Sequence, residues 1–255
     1  MKTNSFITEK AHTDLLKVGA RIQESKIYLQ NRNFSVSKED TVSKAFSEKW
    51  FGFKSQTYVK RLISRFELRF SKFPEAFLLL RSWVEKINLK DFKNICHFHI
   101  QLTDPYYRWF TGIYLGNLIF LGYEEIPTES LISSFEELVT TPMSVKVKRT
   151  LALRLKTAAR DCGILEGKTD KKISLSTPGI IVLYYILFVL RQIGFPSSDI
   201  PSSPYIKSFY PKEFQFFHAM QVGSSMGYWT YEYAGNIFHY ELKYSDWEGA
   251  KGLAA

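Results

Sequence analysis

The stretch "TPGIIVLYYILFVLRQIGF" runs from Pro178 to Leu190 without a charged residue. A helix that crosses a bilayer needs roughly 20 apolar residues, so a run of about 13 is too short to span one. A helix that is apolar all round belongs instead inside a core. The run therefore predicts a helix buried on every side, and the rest of the chain must build the walls around it. With 255 residues, 45% of them apolar, the material is there.

The walls read as helical. Between Ala11 and Gln30, Leu15, Leu16, Val18, Ile22, Ile27 and Leu29 suggest one or two short helices bent near Gly19. Ser37 has the position of an N-cap, with Asp40 three residues on and Val42, Ala45, Phe46 and Trp50 following, so a helix should run to near Gly52. Ser55 or Thr57 caps the next one, in which Val59, Leu62, Ile63, Phe66 and Phe70 form an inward stripe. Pro74 fits a first helical residue, and Asp104 before Pro105 fits an N-cap. "KDFKNICHFHIQL" and "PYYRWFTGIYLGNLIFLGY" continue an all-helical middle, with Tyr106, Tyr107, Trp109 and Phe110 at core spacing.

Thr128 is read as the cap of "PTESLISSFEEL". After the break "TTPM", the residues Val147, Leu151, Leu155, Ala158 and Ala159 give a second helix its apolar face, with Gly163 as its stop. "ILEG", "KTDK" and "KISL" then read as two short strands around a polar turn, and Thr177 and Pro178 open the apolar helix. Helix, turn, basic helix, small hairpin, helix is the order of a winged helix-turn-helix. Further on, "FPSSDIPSSPY" has a linker composition and "PKEFQFFHAMQV" a helical one. "YWTYEYAGNIFHYEL" reads as a hairpin around Ala234, Gly235 and Asn236.

Charge is concentrated in this part of the chain. The formal net charge is +9, and Ser144 to Leu175 alone holds nine lysines and arginines against three acids. Summed positive charge favours an anionic partner. Two readings stand: a solvated helix face, and a surface shaped for a polyanion. On the second, Arg149, Arg154, Lys156 and Arg160 lie along a recognition helix and Lys168, Lys171 and Lys172 on its wing. Arg61, Arg65 and Arg69 recur every fourth residue and share one face of an earlier helix, which makes a second basic patch.

Other chemistries find little footing. "ICHFHI" offers Cys96, His97 and His99, but adjacent helix positions do not converge on one ion, so no metal is expected. There is no phosphate-binding glycine loop, nucleophile elbow or zinc-protease helix motif. Two cysteines, Cys96 and Cys162, do not make a secreted disulfide framework, and "MKTNSFITEKAHTDLL" lacks the apolar core of a signal peptide. A cytoplasmic protein without catalytic activity, cofactor or membrane partner is the expectation.

Four segments carry a family likeness: "ARIQESKIYLQ" with Glu24 and Ser25, "DPYYRWFTGIYL", "TLALRLKTAARDCGILEG" and "YEYAGNIFHYELKYSDWEGAKGLA". Taken in order they resemble the BrxA family of small proteins encoded in BREX phage-defence operons. The resemblance spans most of the chain, through soft motifs of apolar residues and a few polar anchors. It implies a non-enzymatic, largely helical DNA-binding component that works beside a methyltransferase, an ATPase and a phosphatase-like protein against bacteriophage. That family has also been labelled a membrane protein, which the length of the apolar run opposes. No DNA-contacting residue is carried over from it.

The expected architecture is mainly α: a helical bundle with winged helix-turn-helix-like units and small β-hairpins. Residues 1–126 would form an N-terminal helical domain with a basic helix, and residues 127–255 a winged-helix-like domain ending in a hairpin. Double-stranded DNA is the expected partner, with other BREX defence proteins beside it. An assembly adaptor and an RNA binder are the alternatives.

Overall fold

The computed structural model describes residues 7, 12, 15–138, 143–168, 172–174, 177–235 and 237–254. Lys171 and Asn236, both singled out above, lie outside them. The chain is mainly helical, with two small antiparallel strand pairs. In order come α1 (Leu15–Val18), α2 (Ile22–Asn31), α3 (Lys38–Ser47), α4 (Gln56–Phe66), a π-helical turn Glu67–Ser71, α5 (Pro74–Trp83) and α6 (Leu89–Thr103). α7 (Pro105–Trp109) runs through a second π-helical turn into α8 (Leu115–Phe120). α9 (Thr128–Leu138), α10 (Val145–Asp161), β1 (Leu165–Glu166), β2 (Lys172–Ile173) and α11 (Ile180–Gln192) follow. α12 (Pro204–Lys207), α13 (Glu213–Ser225), β3 (Trp229–Ala234), β4 (Ile237–Leu242) and α14 (Trp247–Ala250) complete the chain.

The apolar run is the axis of the fold. Every residue of α11 from Val182 to Leu190 is fully buried, and the helix packs against α5, α6, α13 and β4. Three tyrosines tie it in: Tyr184 Oη donates to Tyr244 O at 3.0 Å, Tyr185 Oη lies 3.1 Å from Ala76 O, and Tyr240 Oη of β4 donates to Leu187 O at 2.8 Å. Among the described residues no helix is long and apolar enough to cross a membrane. One connected cluster of buried apolar residues, from Leu15 to Ala250, spans both predicted segments, 1–126 and 127–255.

The caps at Ser37, Ser55 and Asp104 form as the sequence suggests. Ser37 Oγ accepts from Asp40 N–H, Ser55 Oγ from Tyr58 N–H and Asp104 Oδ1 from Tyr107 N–H. Ser144 Oγ caps α10 in the same way, accepting from Val147 N–H. The chain turns at Gly19 between α1 and α2, and α10 ends at Gly163, both with φ in the left-handed region. In the last hairpin Ala234 pairs with Ile237, so the connection is two residues long.

Three expectations need correction. "FPSSDIPSSPY" is no linker: it folds as a 3-10 turn, Ser197–Asp199, and α12, with Ile200, Ser203, Tyr205 and Ile206 buried. Its serines bond locally, as where Ser203 Oγ accepts from Ile206 N–H at 3.4 Å and caps α12. Thr128 is the first residue of α9 and not its cap, and its hydroxyl serves Lys156 instead. The apolar helix starts at Ile180 with Gly179 in the N-cap position, two residues beyond Pro178.

The polar part of "ICHFHI" is structural. His97 and His99 on α6 are both fully buried. His99 Nδ1 lies 2.7 Å from Arg69 O, a carbonyl that only accepts, so this nitrogen carries the proton and Nε2 faces Tyr185 Oη at 2.7 Å. His97 sits between Tyr107 Oη at 2.9 Å and Ser208 Oγ at 3.0 Å. Burial lowers both imidazoles to a pKa of about 3, so both are neutral at ordinary pH.

Candidate nucleic-acid interface

α10 is the basic helix, and its two faces differ sharply. Leu151, Ala152, Leu155, Ala158 and Ala159 are buried against the core, whereas Lys146, Arg149, Thr150, Leu153 and Arg154 are exposed. α9 packs against it. After Gly163, the chain pairs Leu165 with Ile173 and Glu166 with Lys172. An isolated bridge from Glu125 to Lys172, with Ile173 N–H donating to Glu124 O at 2.9 Å, ties the segment before α9 to the outer edge of β2. β2 thus lies between residues 124–125 and β1.

The structure separates the basic residues singled out from the sequence. Arg149 is exposed and forms an ion pair with Glu129 at 2.7 Å. Arg154 is exposed, and Arg160 is half-buried and paired with its neighbour Asp161 at 2.7 Å. Lys168 is exposed beyond Gly167. Lys172 is exposed too, but its partners on both sides of the ladder are glutamates, Glu166 and Glu125. Cross-strand neighbours share a face, so the local field there is not positive.

Two of the expected DNA-facing positions are wrong. Lys156, placed with Arg149 and Arg160 on the outer face, is only 6% exposed. Its ammonium reaches inward to Ile126 O at 3.1 Å and Thr128 Oγ1 at 3.0 Å. Arg69, placed with Arg61 and Arg65, is 5% exposed and donates to Ala20 O at 2.8 Å and Gly19 O at 2.6 Å. The cause is the π-helical turn Glu67–Ser71, whose i→i+5 bonding breaks the fourfold spacing and swings Arg69 off the face of Arg61. Arg61 stays exposed and Arg65 is half-buried.

The carbonyls that Arg69 holds belong to the turn between α1 and α2, and this turn brings the basic helices together. α1 packs against both α4 and α10. Arg21, in the left-handed region at φ 54°, donates from Nε to Val18 O at 2.9 Å and pairs with Glu24 at 3.3 Å. Its guanidinium lies 5.8 Å from the Tyr58 ring centre on α4. On the other side the turn opens into a cavity of about 590 Å³ shared with α10 and the start of α6. Arg21, Lys93, Arg154 and Arg160 line it, with Glu24 and Asp161. Arg21 and Lys93 escape a reading of the sequence: neither belongs to a basic run, and only the turn geometry assembles them with α10.

Among the described residues no three His, Cys, Asp or Glu side chains converge as a metal site. Cys96 and Cys162 are buried free thiols, pushed up by desolvation, Cys162 to about 12, which leaves neither as a thiolate nucleophile near neutrality. No protein-family model matches the sequence, and no curated protein matches it.

Proposed function

We propose that the chain is a non-enzymatic binder of double-stranded DNA, with α10 as the groove-entering helix and the β1–β2 hairpin as its wing. The observation that carries this reading is the chain order and pairing from α8 to β2. A helix, a bridging residue at Glu125, two packed helices and a hairpin whose second strand is bridged to Glu125 follow the order expected of a winged helix-turn-helix, and this supports the reading. In it the outward face of the second packed helix lies in the major groove.

That face is equipped for the task. Lys146 and Arg149 supply phosphate or base contacts, and the exposed Val145, Val147 and Leu153 supply apolar surface for thymine methyl groups. The Arg149–Glu129 pair is exposed on both sides, so exchanging Glu129 for a phosphate costs little. Lys168 reaches the flanking backbone from the wing. Arg61 and Lys60 on α4 are exposed as well and offer a second basic patch. The resemblance to the BrxA family points the same way and suggests a BREX-type phage-defence setting in the cytoplasm. Anisotropy of a labelled duplex tests the reading: Lys146→Ala with Arg149→Ala should weaken binding, and unchanged affinity would contradict it.

A second reading, an adaptor that docks other defence proteins, is favoured by one feature. Phe120 at the end of α8 is 89% exposed, with Leu121 and Tyr123 exposed after it. Co-purification of partners that survives nuclease treatment and is abolished in Phe120→Ser supports that reading, and disappearance on nuclease treatment opposes it.

A further inference from the structure

We infer that the cavity between the α1–α2 turn, α6 and α10 is a binding site for a phosphate group. The site is distinct from the groove-entering face of α10, though its ligand phosphate fits the proposed function if it belongs to DNA. Four cations from three separate elements line one space: Arg21 from the turn, Lys93 from α6, Arg154 and Arg160 from α10. Like charges gathered around a cavity repel one another unless an anion offsets them. Two are offset within the chain, Arg21 by Glu24 and Arg160 by Asp161. Lys93 and Arg154 are not: among the described residues neither makes a hydrogen bond or ion pair. The cavity thus keeps an uncompensated charge of two, which matches a phosphate.

The way the fold positions Arg21 argues against an accidental cluster. An arginine in the left-handed region is unfavourable because its Cβ crowds the backbone, and the surroundings must enforce it. Here the enforcing group is buried: Arg69 clamps the carbonyls of Gly19 and Ala20, the two residues before Arg21. The Arg69 carbonyl is held in turn by His99. Arg21 itself is anchored by Val18 O and by its approach to Tyr58. As α2 begins here without a side-chain cap, Ile22, Gln23 and Glu24 line the cavity as well. At about 590 Å³ the space admits a group larger than a single phosphate, such as a nucleotide unit.

The phosphate has two potential sources, a backbone phosphate of bound DNA and a free phosphorylated small molecule. Calorimetric titration of the full chain with inorganic pyrophosphate, beside a duplex-binding assay, separates them. Wild type should bind pyrophosphate, and Lys93→Met with Arg154→Met should weaken it by about ten-fold or more, since hydrogen bonds to charged groups are removed. Lys146→Ala with Arg149→Ala should leave it unchanged, which keeps this site separate from the α10 face. A thermal melt of each variant checks that it is folded.

If pyrophosphate competes with duplex and the cleft variant also binds duplex more weakly, the ligand is DNA backbone. If pyrophosphate binds without competing and duplex affinity is unaffected in that variant, the ligand is a free phosphate compound, and the site stands even should the DNA reading fail. Absence of pyrophosphate binding at low salt, together with wild-type duplex affinity in the cleft variant, overturns the proposal.

Discussion

The ammonium of Lys156 donates to Ile126 O at 3.1 Å and to Thr128 Oγ1 at 3.0 Å, joining α10 to the corner that leads into α9. This link fixes the angle between the two packed helices whose outer surface is proposed to meet DNA. Lys156 therefore acts from behind that surface.

Its removal should lower stability and leave DNA binding intact. Lys156→Met leaves the Ile126 carbonyl without its donor, at a cost of about 1–3 kcal/mol. Lys156→Glu sets a buried carboxylate against the Ile126 carbonyl, which can only accept, and should cost more than Lys156→Met. Urea unfolding measures both. Duplex affinity of folded Lys156→Met should match wild type; weaker affinity at unchanged stability would return Lys156 to the interface.

Arg69→Met should destabilise the chain by about 2–6 kcal/mol, because the carbonyls of Gly19 and Ala20 each lose a donor at about 1–3 kcal/mol. Hydrogen exchange should speed up most at residues 19–25, the turn that carries Arg21. Uniform loss of protection, with no excess in that turn, would contradict the clamp.

The two buried histidines set an acid limit. Each has a folded-state pKa of about 3 against an ordinary 6.5, so between these values the unfolded chain binds more protons. Their contribution is fully present above about pH 6.5 and declines as pH falls toward 3, by about 1.4 kcal/mol per pH unit for each histidine. Urea midpoints at pH 7, 6, 5 and 4 should fall accordingly. A variant with His97→Gln and His99→Gln should start lower and decline less steeply; a parallel decline would show that other groups dominate.

Gly223 faces the Trp229 indole so closely that an added Cβ would lie 1.9 Å from the ring. Gly223→Ala should displace the ring, break the Trp229 Nε1–H bond to Met220 O, now 2.9 Å, and cost about 1–3 kcal/mol as overpacking. A melting temperature unchanged from wild type would contradict this packing.

How far the sequence could be read follows from the physics of each feature. Local signals were legible: the caps Ser37, Ser55 and Asp104, the stop at Gly163, the hairpin around Gly235 and the buried character of α11 all rest on short-range backbone or periodicity rules. The order of helices and hairpin was legible too, but not the bridge from Glu125 to Lys172, since a single bridged residue leaves no periodic trace. Charged residues were the weak point. Arg69 and Lys156 sit at spacings that suit an outer face; a π-helical turn moved one inward, and a long stem with two acceptors in reach drew in the other. Conversely, Arg21 and Lys93 stand apart from any basic run and are assembled only by the tertiary fold.

The measurement that tests the central claim most directly is affinity for a random duplex over a salt series, for wild type and for the chain with Lys146, Arg149 and Lys168 changed to alanine. With about six phosphates neutralised, wild type should give a slope of log affinity against log salt near −5, and the triple variant a slope shallower by about 0.9 for each phosphate no longer neutralised. No binding at low salt, or equal slopes for the two proteins, would contradict the assignment of α10 and its wing to DNA.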